Sequence, residues 1–451
     1  MLRDMKLCLL NDSFPPVIDG VANVVMNYAE IMHKEGLADV MVATPEYPGA
    51  EYNIYPYIVL PYKSFDTTKI VKGYRAGNPL DVKEIIAMKE FQPDIIHSHC
   101  PVSSTLLART LRFYTDTPIV FTYHTKFDID IAKAVKAKFI QKEAIRALVN
   151  NIEACDEVWV VSNGAGENLR SLGYEGNYHV VSNGVDFEKG RVASEDVAKV
   201  TATYDLPENT PVFLFVGRLV KYKGLPLILD ALAKLSADGI DFRMVFVGSG
   251  PDEAEMKEKA ASLLKPEQYI FTGPIYDRDE LRAWNTRADL FLFPSTYDTN
   301  GIVVREAAAC GLASVLISGS CASEGVTDDR NGFLIEENAD SMYMLLKRLS
   351  NDLSHVHTVG ENAMNEIYIS WADSVHSAHE RYCEIIDAKK SGKLVLRHNI
   401  FSNSLHYIHE KVHDSIKITD SFKEQFKKEY ALAYDDFMEE YEKIINNLHF
   451  R

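Results

Sequence analysis

Long apolar segments are missing from this sequence. No run approaches the roughly 20 residues that a membrane-spanning helix requires. The start of the chain also lacks the apolar stretch of a signal peptide, because Lys6–Leu10 leads directly into Asn11 and Asp12. We therefore expect a soluble, cytoplasmic protein whose contact with a membrane is limited to peripheral attachment at the inner face.

A surplus of basic residues is missing as well. The 451 residues include 48 Lys and Arg against 65 Asp and Glu, which gives a formal net charge of −17. Because such a chain repels phosphate backbones, a general nucleic-acid-binding function is excluded, whereas a local basic patch is not. The 46% of hydrophobic and 25% of charged residues are typical of a globular protein, and the length predicts two or three domains.

Cysteine pairs at metal-binding spacing are also absent. The six cysteines are scattered along the chain, at Cys8, Cys100, Cys155, Cys310, Cys321 and Cys383. Several lie in apolar runs, so they are interpreted as reduced, buried thiols of a cytosolic protein.

Short apolar runs that alternate with helical patterns are abundant. A first series of strands is predicted at Lys6–Leu10, Val40–Ala43, Ile95–His97, Ile119–Tyr123, Val158–Val161 and His179–Val181. A second series is predicted at Val212–Val216, Arg243–Val247, Tyr269–Phe271, Leu290–Phe293, Ser314–Ile317 and Phe333–Ile335. This alternation favours an α/β fold with two doubly wound parallel sheets, separated by the polar stretch from Phe187 to Thr210.

The segment from Phe291 to Gly311 is the most informative one. An apolar strand stops at Pro294, and after a polar loop Asn300-Gly301 opens an alanine-rich helix. Backbone N–H groups at a helix start, approached through a glycine, form an anion site. Asp298 and Glu306 flank that site, which suits a ligand with phosphate between hydroxyl-rich ends, such as a nucleotide sugar. A well-capped strand-to-helix connection is the structural alternative.

A second phosphate-type loop precedes it, from Phe215 to Gly224. A strand ends at Gly217, and Arg218 and Lys223 follow before Pro226 opens a helix. Arg offers a planar fork to phosphate oxygens and Lys a mobile charge, just past the carboxyl end of a strand where open α/β sheets bind ligands. A solvated basic loop is the alternative.

Together these segments resemble the family 4 glycosyltransferases of the GT-B fold. The resemblance spans roughly residues 5 to 385 and is carried by Gly217, Arg218, Lys223, Gly224, Asp298, Glu306, Gly311-Leu312 and Asn331-Gly332-Phe333. Asp298 stands where the family usually has Glu, which shortens that side chain by one methylene.

The resemblance implies four regions of the chain. They are an acceptor-side Rossmann-like domain over 1–190, a nucleotide-sugar-binding Rossmann-like domain over 208–371 that faces it across a cleft, a crossover helix over 372–390, and a helical tail over 391–451. The tail lies outside the resemblance, and we interpret it as a packing element or a homodimer contact.

The implied activity is transfer of a hexose from a nucleoside diphosphate sugar, UDP-hexose by preference, to an acceptor hydroxyl with retention and without a bound metal ion. The resemblance assigns catalytic roles to His124, Asp298, Arg218 and Lys223. It assigns donor binding to Gly20, Gly217, Arg218, Lys223, Gly248, Pro274, Asp298, Asn300, Gly301, Ile302 and Glu306.

Histidines at two predicted strand ends are further candidates. His124 follows the strand Ile119–Tyr123, where it could exchange a proton with substrate or remain a hydrogen-bonded structural residue. His97 and His99 place two imidazoles on one strand face. Because no Cys, Asp or Glu lies at supporting spacing, we expect no metal site here and assign His99 to the acceptor side.

A basic segment follows His124. The stretch from Lys126 to Val149 reads as helical, and its basic residues are Lys133, Lys136, Lys138, Lys142 and Arg146. It is similar to the corresponding segment of bacterial diacylglycerol glucosyltransferases, which implies a lipid acceptor and peripheral membrane attachment. A solvated helix with a soluble sugar or small-molecule acceptor is the alternative.

Other functions remain open at this point. Another GT-B activity, such as sugar-phosphate synthesis or phosphorolysis, and a catalytically silent GT-B partner subunit both fit the fold. A dehydrogenase fits less well, because Gly248 and Gly250 begin a dinucleotide fingerprint that lacks its third glycine.

Overall fold

The computed structural model describes residues 5–66, 74–79, 82–134 and 137–397, which divide into two compact units. The first unit contains the chain up to Val161, Ala165–Val181, and the described residues from Val375 onward. The second contains Ser162–Gly164 and Ser182–Ser374. Of the predicted helical tail over 391–451, residues 391–397 are described and form a turn and an irregular segment, not a helix, and the rest lies outside the described residues.

The strands of the first unit are β1 (Lys6–Leu10), β2 (Asp39–Pro45), β3 (Ile58–Tyr62), β4 (Ser64–Asp66), β5 (Arg75–Gly77), β6 (Ile95–Ser98), β7 (Ile119–Tyr123), β8 (Glu157–Val160) and β9 (His179–Val180). Those of the second are β10 (Val212–Val216), β11 (Arg243–Val247), β12 (Tyr269–Gly273), β13 (Leu290–Phe293), β14 (Ala313–Ile317) and β15 (Phe333–Ile335).

The helices follow the strands in both units. They are α1 (Gly20–Lys34), α2 (Val82–Phe91), α3 (Ser103–Thr115), α4 (Phe127–Ala134), α5 (Lys138–Glu153), α6 (Asn163–Ser171), α7 (Ser194–Thr201), α8 (Leu225–Ala237), α9 (Glu253–Leu263), α10 (Arg278–Arg287), α11 (Ile302–Ala309), α12 (Ala339–Leu349), α13 (Leu353–Glu366) and α14 (Trp371–Lys390).

The first unit is built on a parallel sheet in the order β3-β2-β1-β6-β7-β8-β9. Its central strands are fully buried and nearly all apolar, as expected when helices cover both faces of a parallel sheet. From Val375 onward α14 packs within this unit, where Tyr382 stacks on Trp159 and Arg381 pairs with Glu157 at 2.6 Å.

The second unit repeats the plan with the parallel order β12-β11-β10-β13-β14-β15. In each sheet the strand order reverses once, between β1 and β6 and between β10 and β13. Loops that leave the carboxyl ends of strands on the two sides of such a point diverge and leave a crevice for ligand. The loops after these strands are therefore the expected ligand-binding loops of each sheet.

The predicted strands are all present, with ends that differ by two residues at most. The prediction missed β3, β4 and β5. Pro61 interrupts the apolar run of β3, which is an edge strand without a preceding α-helix, and β4 pairs with β5 as an antiparallel ribbon of three residues each. The alternation of strands with helices on which the prediction relied does not apply there.

Two further predictions, reduced cysteines and the lack of a membrane-spanning helix, can be compared with the structure. All six cysteines are free, and Cys8, Cys155, Cys310 and Cys321 are buried. In the part of the chain that the structure describes, no helix is both long and apolar enough to cross a membrane.

Candidate active site

Three loops of the second unit meet backbone against backbone at the carboxyl ends of β10, β11 and β12. The N–H of Gly217 donates to the carbonyl of Val247 at 3.0 Å, and the N–H of Gly248 donates to that of Gly273 at 2.9 Å. Gly248 has a φ of 136°, and a Cβ there would lie 1.9 Å from the Gly217 oxygen. Only glycine fits, so the loops after β10 and β11 are held in fixed register.

The loop after β10 also rests on the loop after β13, across the point where strand order reverses. Gly224, with a φ of 81°, precedes α8, and a Cβ on it would lie 2.4 Å from the Pro294 carbonyl oxygen. Beside this contact Lys223 Nζ lies 2.9 Å from Asp298 Oδ1 and 5.2 Å from the centre of the Phe293 ring. The two predicted donor loops are therefore joined by one ion pair.

Asp298 is held from both sides. Its Oδ2 accepts a hydrogen bond of 2.5 Å from the Ser295 hydroxyl, while its Oδ1 faces Lys223. The side chains of Lys223 and Asp298 are 15% and 26% exposed, so both polar groups remain within reach of a ligand. An aspartate with two fixed oxygens can present hydrogen-bond acceptors to sugar hydroxyls without first being ordered by substrate.

Arg218 differs from the other basic residues of its loop. Its guanidinium is exposed and makes no hydrogen bond or ion pair within the described part of the chain. Lys221, by contrast, pairs with Glu255 at 2.6 Å. Arg218 is thus a positive charge at the carboxyl end of β10 whose hydrogen-bonding capacity is uncommitted among the described residues.

The start of α11 carries an unsatisfied polar group. Gly301 precedes the helix with a φ of 59°, and no side chain caps the N-terminal amides. The Asn300 side chain is buried, at 9% exposure for the residue, and neither its Oδ1 nor its Nδ2 has a hydrogen-bond partner. A helix start carries positive potential, and an unpartnered buried amide costs free energy until a partner arrives. Both features favour an anionic ligand with hydrogen-bonding groups.

Glu306 lies one turn into α11 and is buried. Its Oε1 accepts a hydrogen bond of 2.5 Å from Arg278 Nη2, on the first residue of α10. Burial raises the pKa of Glu306, and Arg278 opposes that increase while Asp186 adds to it. Sequence reasoning predicted Glu306 but missed Arg278, because the contact spans 28 residues and no local pattern announces it.

In the first unit three imidazoles lie together at the carboxyl ends of β6 and β7. The rings of His97 and His99 are 3.9 Å apart between centroids, and His99 Nδ1 lies 3.0 Å from His124 Nε2. Both ring nitrogens of His97 are hydrogen-bonded. Its Nε2 lies 2.6 Å from the Thr122 hydroxyl, and its Nδ1 pairs with the Tyr382 hydroxyl. His99 Nε2 is buried without a partner.

These imidazoles are kept neutral by their surroundings. Burial lowers the pKa of His97 and His99 well below the ordinary value, with further lowering from neighbouring imidazoles. Burial lowers the pKa of His124 to about 4, although the nearby Asp19 opposes the shift. A neutral imidazole can either donate or accept a hydrogen bond, as binding of a hydroxyl requires. Within the described residues no group of three His, Cys, Asp or Glu is arranged to hold a metal ion.

Gly20 begins α1, but the structure gives no steric reason for glycine there. A Cβ on Gly20 would meet no atom within 4 Å. The adjacent Asp19 caps the helix instead, with its Oδ1 2.9 and 2.7 Å from the N–H groups of Val21 and Ala22 and its Oδ2 2.7 Å from the Tyr74 hydroxyl. A carboxylate therefore already occupies the helix start. An Asp before an apolar helix is an N-cap signal that sequence reasoning missed.

The basic segment after His124 is two helices, not the one predicted. Ala137 is extended (φ −81°, ψ 111°) and separates α4 from α5, so helical spacing cannot be counted through the whole stretch. Lys138, Lys142 and Arg146 are exposed on α5, as is Phe139 at 75%. Lys136 and the side chain of Lys133 lie outside the described residues.

Comparison with known proteins agrees with this geometry. The model of the family "Glycosyl transferases group 1" matches residues 197–366, and the model "Glycosyltransferase Family 4" matches residues 18–189. The chain belongs to the family 4 glycosyltransferases. Its Rossmann-like sheets and helices form the GT-B fold of that family, and the protein is a glycosyltransferase.

Individual relatives of this glycosyltransferase are distant but match most of its length. An alpha-monoglucosyldiacylglycerol synthase of Streptococcus pneumoniae is 24% identical over 85% of this chain and 86% of its own. A GDP-mannose-dependent alpha-mannosyltransferase of Corynebacterium glutamicum is 26% identical over 74% of this chain and 78% of its own. The solved structure of Anabaena HepE in complex with UDP superposes with a TM-score of 0.67 at 18% identity, covering 84% of this chain and all of that one.

The depressed pKa of His124 predicts a pH dependence of stability. In the unfolded chain His124 binds a proton near pH 6.5, whereas the folded enzyme resists protonation down to about pH 4, so its stabilising contribution is lost as pH falls between these values. Between about pH 7.5 and about pH 5 the free energy of unfolding should therefore fall by about 2 kcal/mol more in the wild type than in His124→Gln. Urea unfolding at the two pH values measures this difference. His33→Gln, at an exposed imidazole without an ion pair among the described residues, is the control and should follow the wild type; equal losses in wild type and His124→Gln would contradict the assignment.

Proposed function

We propose that this glycosyltransferase transfers a hexose from UDP-hexose to the hydroxyl of a lipid such as diacylglycerol, with retention of the anomeric configuration. The main observation in favour of a nucleotide-sugar donor is the uncapped start of α11, where Asn300 lies buried without a hydrogen-bond partner. The UDP bound to HepE and the diacylglycerol products named for relatives in Streptococcus pneumoniae and Acholeplasma laidlawii support the choice of substrates.

The proposed roles follow from where charge develops. As the bond from the sugar to the diphosphate stretches, negative charge grows on the leaving oxygen, and fixed positive groups aimed there lower the barrier. Arg218, Lys223 and the first amides of α11 are assigned this role, so we propose that no bound metal ion is required. Asp298 is assigned to the donor sugar hydroxyls and Glu306 to the ribose hydroxyls.

The reaction is proposed to proceed on one face of the sugar. The acceptor oxygen forms its bond to the anomeric carbon as the bond to the diphosphate breaks, and the acceptor proton passes to the leaving phosphate oxygen. His124, with its neutral imidazole held by His99, is assigned to orient the acceptor hydroxyl or a sugar hydroxyl in this step. His99 is assigned to the acceptor side.

The nucleotide base is assigned to the loops after β11 and β12, where Gly248 and Pro274 lie on adjacent turns joined by a backbone hydrogen bond. Backbone groups there would read the base edge. Because some relatives use GDP-mannose by name, GDP-mannose is the alternative donor to be tested beside UDP-hexoses.

The lipid acceptor is supported by exposed apolar residues of the first unit and by basic residues on α5. Ile18, Ile54 and Val102 follow the neighbouring strands β1, β2 and β6 and are 62%, 67% and 48% exposed. On α5 the exposed Phe139 is accompanied by Lys138, Lys142 and Arg146. Apolar side chains that insert at an interface and cations that face anionic headgroups suit reversible attachment to a membrane.

Replacement of Arg218 tests the donor assignment. Arg218→Ala should reduce hexose transfer from UDP-glucose at least ~10²-fold, by the effect of removing one preorganised donor. Lys221→Ala is the matched control, because Lys221 lies in the same loop but is paired with Glu255, and it should retain wild-type turnover. Transfer to dioleoylglycerol in detergent micelles, followed with radiolabelled donor, measures both variants. Equal turnover of Arg218→Ala and wild type would contradict the assignment of Arg218 to the donor diphosphate.

Charge reversal on α5 tests the membrane assignment. The double variant Lys138→Glu, Lys142→Glu should bind phosphatidylglycerol vesicles at least ~10-fold more weakly than wild type at low salt, because each basic residue near such a surface contributes about 1 kcal/mol. The double variant Lys257→Glu, Lys347→Glu alters net charge equally at exposed positions of the second unit and should bind as wild type. Sedimentation with vesicles measures binding. If the wild type does not bind, a soluble acceptor replaces the lipid.

A further inference from the structure

Arg278 binds one oxygen of the buried Glu306 carboxylate and leaves the other oxygen available to a ligand. The Glu306 side chain is only 10% exposed, and its Oε1 is engaged by Arg278 Nη2 at 2.5 Å. Its second oxygen, Oε2, receives no hydrogen bond from the described part of the chain. A carboxylate whose oxygens are divided in this way presents one acceptor in a defined direction.

Besides the ion pair with Glu306, two further contacts restrict the Arg278 guanidinium. Its Cζ lies 4.4 Å above the centre of the Phe187 ring, which is buried at 1% exposure, and its Nη2 lies 3.8 Å from Asp186 Oδ2. Its backbone begins α10 directly after the N-cap Asp277. Stacking on an aromatic face and ion pairing together restrict a side chain that would otherwise sample many rotamers.

The ion pair also favours the ionised form of Glu306. A buried carboxylate without a cation tends to bind a proton, because desolvation disfavours the charged form. The titratable groups that influence Glu306 are Arg278 on α10 and Asp186 before α7, while Glu306 itself helps to raise the pKa of the Cys310 thiol just after α11. Of these only Arg278 favours the ionised carboxylate.

We propose that Arg278 is a positioning residue for the donor nucleotide: it holds Oε1 of Glu306 and so directs an ionised Oε2 to the ribose hydroxyls. The inference rests on the proposed function, in which Glu306 binds the ribose, and adds a residue that the family motif does not contain. Arg278 itself makes no contact with the ribose in this arrangement.

A purely structural ion pair would behave differently. Loss of such a pair lowers stability but leaves unchanged the preference for a ribose hydroxyl over hydrogen at the same carbon. Loss of a positioning pair removes that preference and adds to the pH dependence of nucleotide affinity, because Glu306 would then bind a proton as the pH is lowered. The two readouts separate the roles.

Calorimetric titration with UDP, 2′-deoxy-UDP and 3′-deoxy-UDP tests the proposal. The wild type should bind UDP about 10-fold or more tightly than at least one deoxy analogue, the usual effect of a hydrogen bond to a charged group. In Arg278→Ala this ratio should fall to within about 2-fold, and Glu306→Gln should reduce it in the same direction. Arg278→Lys, which keeps the charge but not the planar fork, should retain part of the ratio.

The same titrations at about pH 8 and about pH 6 give the second readout. UDP affinity of Arg278→Ala should fall more at the lower pH than that of the wild type, in which only the terminal phosphate of UDP gains a proton over this range. The control Arg330→Ala removes an exposed ion pair with Glu366 elsewhere in the second unit and should keep both wild-type behaviours.

The outcomes distinguish failure of the positioning role of Arg278 from failure of the proposed nucleotide site. If the wild type discriminates between ribose and deoxyribose and Arg278→Ala retains that ratio and the wild-type pH dependence, the positioning role is overturned while the donor site stands. If the wild type binds neither UDP, GDP nor ADP, the proposed nucleotide site fails and the inference fails with it.

Discussion

The reversal of strand order between β10 and β13 is the constraint on which the rest of the candidate site depends. It leaves a crevice at the carboxyl ends of these strands, and loops from both sides are pressed together there without side chains between them. Gly224 against Pro294 and Gly248 against Gly217 are contacts that a Cβ would break. Because the backbones are in contact, the loop that carries Arg218 and Lys223 lies against the loop that leads to α11, and Lys223 reaches Asp298.

The polar groups of that region are prepared for a partner in different ways. Lys223 and Asp298 satisfy each other at 2.9 Å, and Arg278 satisfies one oxygen of Glu306. Asn300 is buried with nothing to bond, a cost that a native fold tolerates where a ligand completes the site. In the first unit His99 Nε2 is in the same condition beside His124. Both unpartnered groups lie where sequence reasoning had placed function.

Much of this arrangement could be predicted from sequence because its signals are local. The strands of both sheets, the helix after Asn300-Gly301 and the basic loop from Gly217 each follow from patterns within about ten residues. The pairing of Arg278 with Glu306 and the Asp19 hydrogen bond to Tyr74 join distant segments, so no local pattern reveals them. The break at Ala137 was missed because lysines and small residues on both sides of it are good helix formers.

The central claim is that the positive groups at this crevice bind a nucleoside diphosphate through its phosphates. The most direct measurement is calorimetric titration of the wild-type enzyme with UDP, UMP and uridine at one moderate salt concentration. The account predicts that affinity falls at each loss of a phosphate, by about 10-fold or more from UDP to UMP, since hydrogen bonds to charged groups contribute about 1.5–3 kcal/mol each. Equal affinity for UDP, UMP and uridine would contradict it.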